Sequence, residues 1–268
     1  MKILVFGDII GKTGRKGLAQ ILPSLKKKYK PDLVIANAEN VAHGIGVTMR
    51  TVQALFDAGV DFLTTGNHIF DRMTEVDEVF SHYEGRIIRP MNFVGEYPGS
   101  GSGQVKVKKK TVYIANFNAR VFMEKQFRGM IASPFDALDK FLQTVPKSAI
   151  IIVDFHSEAT SEKRGFGFHA DGRVSLVYGT HTHVQTADAQ ILSKGTAYIS
   201  DVGMTGAADS VLGVDQEKAV AGFLGKSFSG DNMVDSDEIE SGFLVVEVDE
   251  ATGLAKKITS ERLRVKLS

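Results

Sequence analysis

Short apolar runs alternate along this chain with stretches in which apolar residues recur every three to four positions. Residues 2–6 read as a buried strand, after which Leu18, Ile21, Leu22 and Leu25 share one helical face. Lys26, Lys27 and Lys28 close that helix, where cations suit the backbone dipole. Pro23 inside it removes a helical hydrogen bond and predicts a split or kink. The cycle then repeats. A strand covers 32–36, a helix covers 48–58 with Val52, Leu55 and Phe56 on one face, a strand covers 60–63 and a helix covers 74–83. Strand–helix alternation of this kind predicts a parallel α/β core.

The middle of the chain changes character. A loop from Arg89 runs through Pro98-Gly99-Ser100-Gly101-Ser102-Gly103. Residues 104–108 and 111–116 then read as a hairpin with Lys108, Lys109 and Lys110 at a solvated tip, since no aromatics are interleaved with them. Residues 117–131 carry aromatics without a clear period, which fits a packed loop or part of a lid. Ser133-Pro134 opens a helix with Leu138, Phe141 and Leu142 on its apolar face, and residues 149–155 form a strongly apolar strand. A helix starts within 157–163, and a further strand covers 174–178. The last third reads as strands over 191–192, 196–200, 242–248 and from 256 onward, with a polar, acidic connection over 229–240. No internal repeat or linker divides the chain, so a single domain over 1–268 is expected.

Composition narrows the class. With 268 residues, 43% hydrophobic and 24% charged, the chain is globular and can bury a large core. Lys+Arg and Asp+Glu both number 32, so no global field recruits long nucleic acid or an acidic membrane. An anionic ligand has to be attracted locally. Cysteine is absent, which excludes disulfides, thiolate metal sites and thiol catalysis. The apolar run at the N-terminus stops at Gly7-Asp8, too short for a signal peptide or membrane helix, and a cytoplasmic location is expected.

Gly7 to Thr13 invites a phosphate-loop reading, which the spacing rejects. A Walker A loop needs four residues between its first glycine and the Gly-Lys-Thr, and here there are three, one of them Asp8. Position 9 is isoleucine, so G-x-G-x-x-G fails as well. A carboxylate closing the first strand instead has the chemistry of a metal ligand.

Other strand ends repeat that chemistry. The second strand is followed by Glu39-Asn40, the third by Gly66-Asn67-His68, the apolar strand over 149–155 by His156, and the next by His181 and His183. Parallel strands carry their C-terminal ends on one edge, where open α/β sheets place their sites. Carboxylate, amide oxygen and imidazole without sulfur suit Mn, Fe or Zn better than Ca or Mg. The donors exceed the needs of one tetrahedral ion and are about enough for two. His181 and His183, two apart in an extended segment, would leave the same face and each serve a different ion. His43 lies in a glycine-flanked loop and reads as a surface or substrate-edge residue.

The series Gly7-Asp8, Glu39-Asn40, Gly66-Asn67-His68, His156 and Gly179-Thr180-His181-Thr182-His183 resembles the calcineurin-like metallophosphoesterases, and more narrowly the bacterial YmdB-type phosphodiesterases. The likeness spans essentially the whole chain and includes Asp201-Val202-Gly203-Met204-Thr205-Gly206. Two positions depart from the wider superfamily: Ile10 replaces the histidine of Asp-x-His, and Glu39-Asn40 replaces Gly-Asp-x-x-Asp. Both departures are what the YmdB-like branch shows.

The resemblance implies an αββα fold, two mixed sheets packed as a sandwich and flanked by helices. It implies that Asp8, Glu39, Asn40 and His183 bind one divalent ion and that Glu39, Asn67, His156 and His181 bind a second. Glu39 would bridge, and Asn40 would stand in for the missing histidine. Fe or Mn are the ions implied first, with Zn or Mg as alternatives. The implied reaction is hydrolysis of 2′,3′- or 3′,5′-cyclic nucleotides by a bridging hydroxide, with His68 as general acid. Partners expected on this reading are a small cyclic nucleotide and, as an open point, a second copy of the chain. Two alternatives stand beside it: another phosphoesterase, nuclease or phosphomonoesterase, on the same site, and a non-catalytic metal- or nucleotide-binding regulator.

Overall fold

The computed structural model describes residues 1–127, 129–226 and 233–268. Strand β1 (Lys2–Ile9) sends its side chains alternately into two cores. Ile3 and Val5 face one, Leu4 and Phe6 the other, and all four are fully buried. A strand covered on both faces must be apolar throughout, which is why the first run shows no polar alternation.

After β1 come α1 (Gly11–Tyr29), β2 (Leu33–Asn37), α2 (Met49–Ala58), β3 (Phe62–Thr64) and α3 (Met73–His82). The middle holds β4 (Phe93–Val94), β5 (Ser102–Val107), β6 (Lys110–Asn118), β7 (Met130–Ile131) and α4 (Pro134–Leu142). Next are β8 (Ile150–His156), α5 (Thr160–Ala170), β9 (Leu176–Thr180), β10 (Gln190–Ile191) and β11 (Ala197–Ile199). β12 (Met204–Ala207), α6 (Gln216–Phe223), β13 (Glu238–Val248) and β14 (Ala255–Lys266) follow.

Two six-stranded sheets result. One has the order β14-β13-β12-β1-β2-β3. In it β12, β1, β2 and β3 are parallel, and β13 runs against β1, β12 and β14. The other has the order β10-β11-β9-β8-β6-β5, with β6, β8, β9 and β11 parallel and β5 and β10 antiparallel at its edges. Ile3, Val5, Ile35 and Phe62 from the first sheet share an apolar core with Ile114, Ile152, Leu176 and Ile199 from the second. Outside, Leu18, Leu22, Val52 and Leu55 cover the first sheet, while Leu138, Phe141 and Phe166 pack over the second. This is the αββα sandwich the motifs imply. Each such side chain contributes about 1.5–3 kcal/mol on burial.

Some local expectations change. The stretch expected to be a glycine-rich loop is strand to Ile9 and helix from Gly11, because Asp8 and Ile9 pair with Met204 and Thr205 of β12. Pro23 does not split α1, which is one helix of 19 residues. Pro23 lies on the exposed face of the helix, and so does Ala19, the residue whose carbonyl loses its helical partner. β12, α6 and the β4–β7 pair were not foreseen. Of the acidic connection over 229–240, residues 229–232 lie outside the described residues, and β13 begins at Glu238. Among the described residues, no helix is long and apolar enough to cross a membrane.

Candidate metal centre

Five strand ends converge, those of β1, β2 and β3 from one sheet and β8 and β9 from the other. Asp8 is the penultimate residue of β1, and the register against β2 shifts between Phe6 and Asp8. A bulge of this kind re-aims a side chain. A Cβ on Gly7 would strike the Gly203 carbonyl, so glycine is what lets β1 run this close to its neighbour. Asp8 is fully buried and accepts hydrogen bonds from His181 N at 3.1 Å and Asn40 Nδ2 at 3.3 Å.

Asn37 ends β2. Its Oδ1 accepts from Glu39 N at 3.1 Å, and its Nδ2 donates to Asp154 Oδ2 at 3.1 Å. Glu39 is fully buried. Its Oε2 accepts from His68 N at 3.0 Å, and its Oε1 lies 3.0 Å from His156 Nε2. Past β3, a Cβ on Gly66 would occupy the space against Glu39 Oε2 and His156 Nε2. Glycine there keeps open the gap between these two donors.

An extended segment would send the rings of His181 and His183 to the same side. The structure differs: β9 ends at Thr180, and His181 and His183 take positive φ values of 99° and 63°. The turn divides them. His181 Nδ1 lies 3.1 Å from His156 Nε2, whereas His183 Nε2 lies 3.2 Å from Asn40 Nδ2 and 3.6 Å from Asp8 Oδ1. The residues singled out from the sequence therefore fall into two adjoining groups. One contains Glu39, Asn67, His156 and His181; the other contains Asp8, Asn40 and His183. Asn40 Nδ2, 3.4 Å from Glu39 Oε1, joins them.

The first group fits a cation. His156 Nδ1 donates to Thr180 Oγ1 at 2.9 Å, because that hydroxyl gives its own proton to Asp154 Oδ1 at 2.6 Å. His181 Nε2 lies 3.1 Å from Glu158 Oε2, which accepts its proton and leaves Nδ1 a bare lone pair. Glu39 Oε1, Asn67 Oδ1 and His181 Nδ1 then all face His156 Nε2, at 3.0, 2.8 and 3.1 Å. Lone pairs meeting this closely repel unless positive charge stands among them. Separations near 3 Å are also those between ligands about 2.1 Å from a shared ion, roughly 3.0–3.4 Å. Asn67 Nδ2 is buried with no partner, so its amide is aimed by the oxygen end. Glu39, His156 and His181 offer ligand atoms all within 4.8 Å of one another.

The electrostatics carry the same mark. Burial opposes charge on His156, but Glu39 against it pushes the imidazole up to about 9, so a proton supplies the positive charge. Burial, reinforced by that charge, pushes His181 down to about 3. Burial also works against ionising Asp8 and Glu39. His183 facing Asp8, and His156 facing Glu39, hold both carboxyls below their ordinary values. In the second group Asn40 presents its NH2 to Asp8 and His183. A cation there calls for the amide to turn and offer Oδ1.

His68 stands apart from both groups. Its Nδ1 lies 2.7 Å from Asp71 Oδ2, and its side chain, 30% exposed, lines a cavity of about 710 Å³ together with Glu39, Asn40, His181 and His183. His43 is exposed and lines the same cavity, with φ of 55°. Gln126 brings the 117–131 segment to the cavity, while Phe127 stacks on Phe93 with ring centres 3.7 Å apart.

A second layer of residues, Asp201 among them inside a quoted motif, received no role from the sequence reading. Asp154 is fully buried and accepts from Thr64 Oγ1, Thr180 Oγ1 and Asn37 Nδ2. Burial pushes it up to about 6, against the pull of His156 and these donors. Lys163 and Asp201 form a buried ion pair beneath the His181–His183 turn. The available signal was a charge inside an otherwise apolar stretch: Asp154 interrupts the strongest strand of the chain.

Known proteins resemble this chain in sequence and in fold. The model of the YmdB-like protein family matches residues 4–260. A 2′,3′-cyclic-nucleotide 2′-phosphodiesterase of Bacillus subtilis is 40% identical over 261 residues, 96% of this chain and 95% of that protein. The crystal structure of a phosphatase from Mycoplasma pneumoniae gives a TM-score of 0.90 at 33% identity, over 99% of this chain and 94% of the other. That of a hypothetical protein from Thermus thermophilus gives 0.89 at 33% identity, over 98% and 99%.

Proposed function

The chain belongs to the YmdB-like family, and from that membership we propose that it is a metal-dependent phosphodiesterase acting on 2′,3′-cyclic nucleotides. The observation that carries the reading is the meeting of Glu39, Asn67 and His181 lone pairs at His156 Nε2, with Gly66 keeping the gap clear. Asp8, Glu39, Asn40 and His183 would hold one divalent ion, and Glu39, Asn67, His156 and His181 a second, with Glu39 shared. The mixed oxygen and nitrogen donors favour Fe or Mn. Such ions supply charge neutralisation for the phosphodiester and acidify a water molecule.

The remaining chemistry belongs to the chain. The departing ribose oxygen is a poor leaving group and needs a proton. Asp71 fixes the Nδ1 proton of His68 and orients the ring, which leaves Nε2 as the atom that delivers a proton into the cavity. Glu39 Oε2 accepts from the backbone N of His68, so the carboxylate that would be shared by the two ions also sets where the acid stands. A 3′,5′-cyclic nucleotide would meet the same groups and is the second substrate to test.

Protein purified without chelator should contain about two divalent ions per chain. It should hydrolyse 2′,3′-cyclic nucleotides in preference to phosphomonoesters and RNA. Lack of turnover on the whole panel after reconstitution with Mn²⁺ or Fe²⁺ would overturn the reading.

A further inference from the structure

Resting on the phosphodiesterase reading, we propose that the cavity has a nucleobase subsite beside the donor groups, with Phe223 as its stacking face. The cavity of about 710 Å³ is chemically divided. Its lining includes Glu39, Asn40, His68, Glu158, His181 and His183, and also Leu212, Val214, Ala219 and Phe223, which come from one stretch of the chain and carry no charge. That volume lies within the range for small-ligand sites. An uncharged wall suits a flat neutral ring and offers nothing to a second phosphate, so it fits a mononucleotide better than a continuing strand.

α6 is built for a ligand rather than for the core. It has no buried side chain, and Phe223 is 84% exposed although it lines the cavity. Ala219 and Phe223 are four residues apart and so share one helical face, the face turned to the cavity. The apolar wall is also tied to the donor groups. The Leu212 carbonyl lies 3.4 Å from His183 Nδ1, so wall and phosphate-binding end are neighbours, as base and phosphate are across one ribose.

The test compares wild type, Phe223→Ala and Phe223→Trp, each loaded with Mn²⁺. The substrates are 2′,3′-cyclic AMP and glycerol 1,2-cyclic phosphate, a five-membered cyclic phosphodiester without a base. Phe223→Ala should raise KM for the nucleotide about 5- to 100-fold with kcat kept. It should leave the baseless ester unchanged, and Phe223→Trp should retain nucleotide binding. Equal losses on both substrates, or none on either, overturn the subsite.

Adenosine 3′-monophosphate and inorganic phosphate, titrated by calorimetry, give a readout independent of turnover. The subsite predicts that wild type binds the nucleotide more tightly and that Phe223→Ala removes only that difference. If wild type binds the nucleotide in this way but hydrolyses nothing, the subsite stands and the phosphodiesterase reading fails. A dimer in sedimentation that Phe223→Ala turns into a monomer would assign the face to a second copy and overturn the proposal.

Discussion

Lys163 Nζ lies 2.6 Å from Asp201 Oδ2, and neither side chain is more than 2% exposed. The pair clamps the turn that carries two of the proposed ligands. Lys163 also donates to the Thr180 carbonyl at 3.1 Å. Asp201 Oδ2 accepts from Thr182 N at 3.1 Å and Thr182 Oγ1 at 2.8 Å, and Oδ1 accepts from Gly203 N at 2.8 Å. His181 and His183 sit in left-handed backbone that side chains other than glycine adopt only under restraint. Lys163→Met leaves Asp201 buried without its counter-charge, which costs about 3–5 kcal/mol. Denaturant unfolding should show that loss, and metal analysis should show weaker retention. Lys163→Met combined with Asp201→Asn should regain part of the stability. Unchanged stability in the single variant would show that the pair restrains nothing.

His68→Ala should spare metal content, since His68 lies outside both donor groups, and should slow cyclic nucleotide hydrolysis about 10²- to 10⁴-fold. The loss should be smaller for bis(p-nitrophenyl) phosphate, whose leaving group departs without a proton. Steady-state rates on the two substrates decide the matter, and equal losses count against the acid role. Asp71→Asn should reproduce part of the same pattern, because it alters the partner of Nδ1 without touching the donors.

Glu39→Ala removes the one carboxylate placed between the two groups and should abolish turnover along with stoichiometric metal. Gly66→Ala is the subtler test. Its added methyl meets Glu39 and His156, so it should push these donors apart without removing either. Metal affinity should fall while the fold, followed by far-ultraviolet circular dichroism, stays intact. Wild-type affinity in Gly66→Ala would mean that the gap is not where the cation sits.

Much of this was legible in the chain itself. The donors stood out because carboxylate, amide and imidazole recur where apolar runs end, and strand direction alone brings such ends together. The roles of the layer behind them were not legible. Asn37, Thr64, Thr180 and Asp154 are ordinary residue types in or beside strands, and only the packing of two sheets joins Asp154, on β8, to Asn37, on β2. The positive φ of His181 and His183 was also hidden, since nothing local demands it and the Lys163–Asp201 pair that contacts the turn comes from 18 or more residues away. α6 escaped because its eight residues are too few to fix a helical period.

The proton on His156 predicts how metal binding responds to pH. Burial alone would discourage the imidazolium, but Glu39 against Nε2 pushes it up to about 9 from an ordinary value of 6.5. In metal-free protein the raised value makes that proton stabilising. Its contribution is fully present below about 6.5 and is lost as pH rises through about 9. A cation at Nε2 has to expel the proton, so Mn²⁺ affinity should climb between pH 7 and 9, approaching about tenfold per unit, and flatten above. His183, held up by Asp8, adds to the trend in the same direction. Calorimetric titrations at pH 7.5, in buffers of different ionisation heat, should count at least one proton released per chain. Melting temperatures in chelator should fall from pH 7 to 9.5, and those with saturating Mn²⁺ should fall less. An affinity that is flat across this range, with no proton released, would show that Nε2 is not where the metal binds.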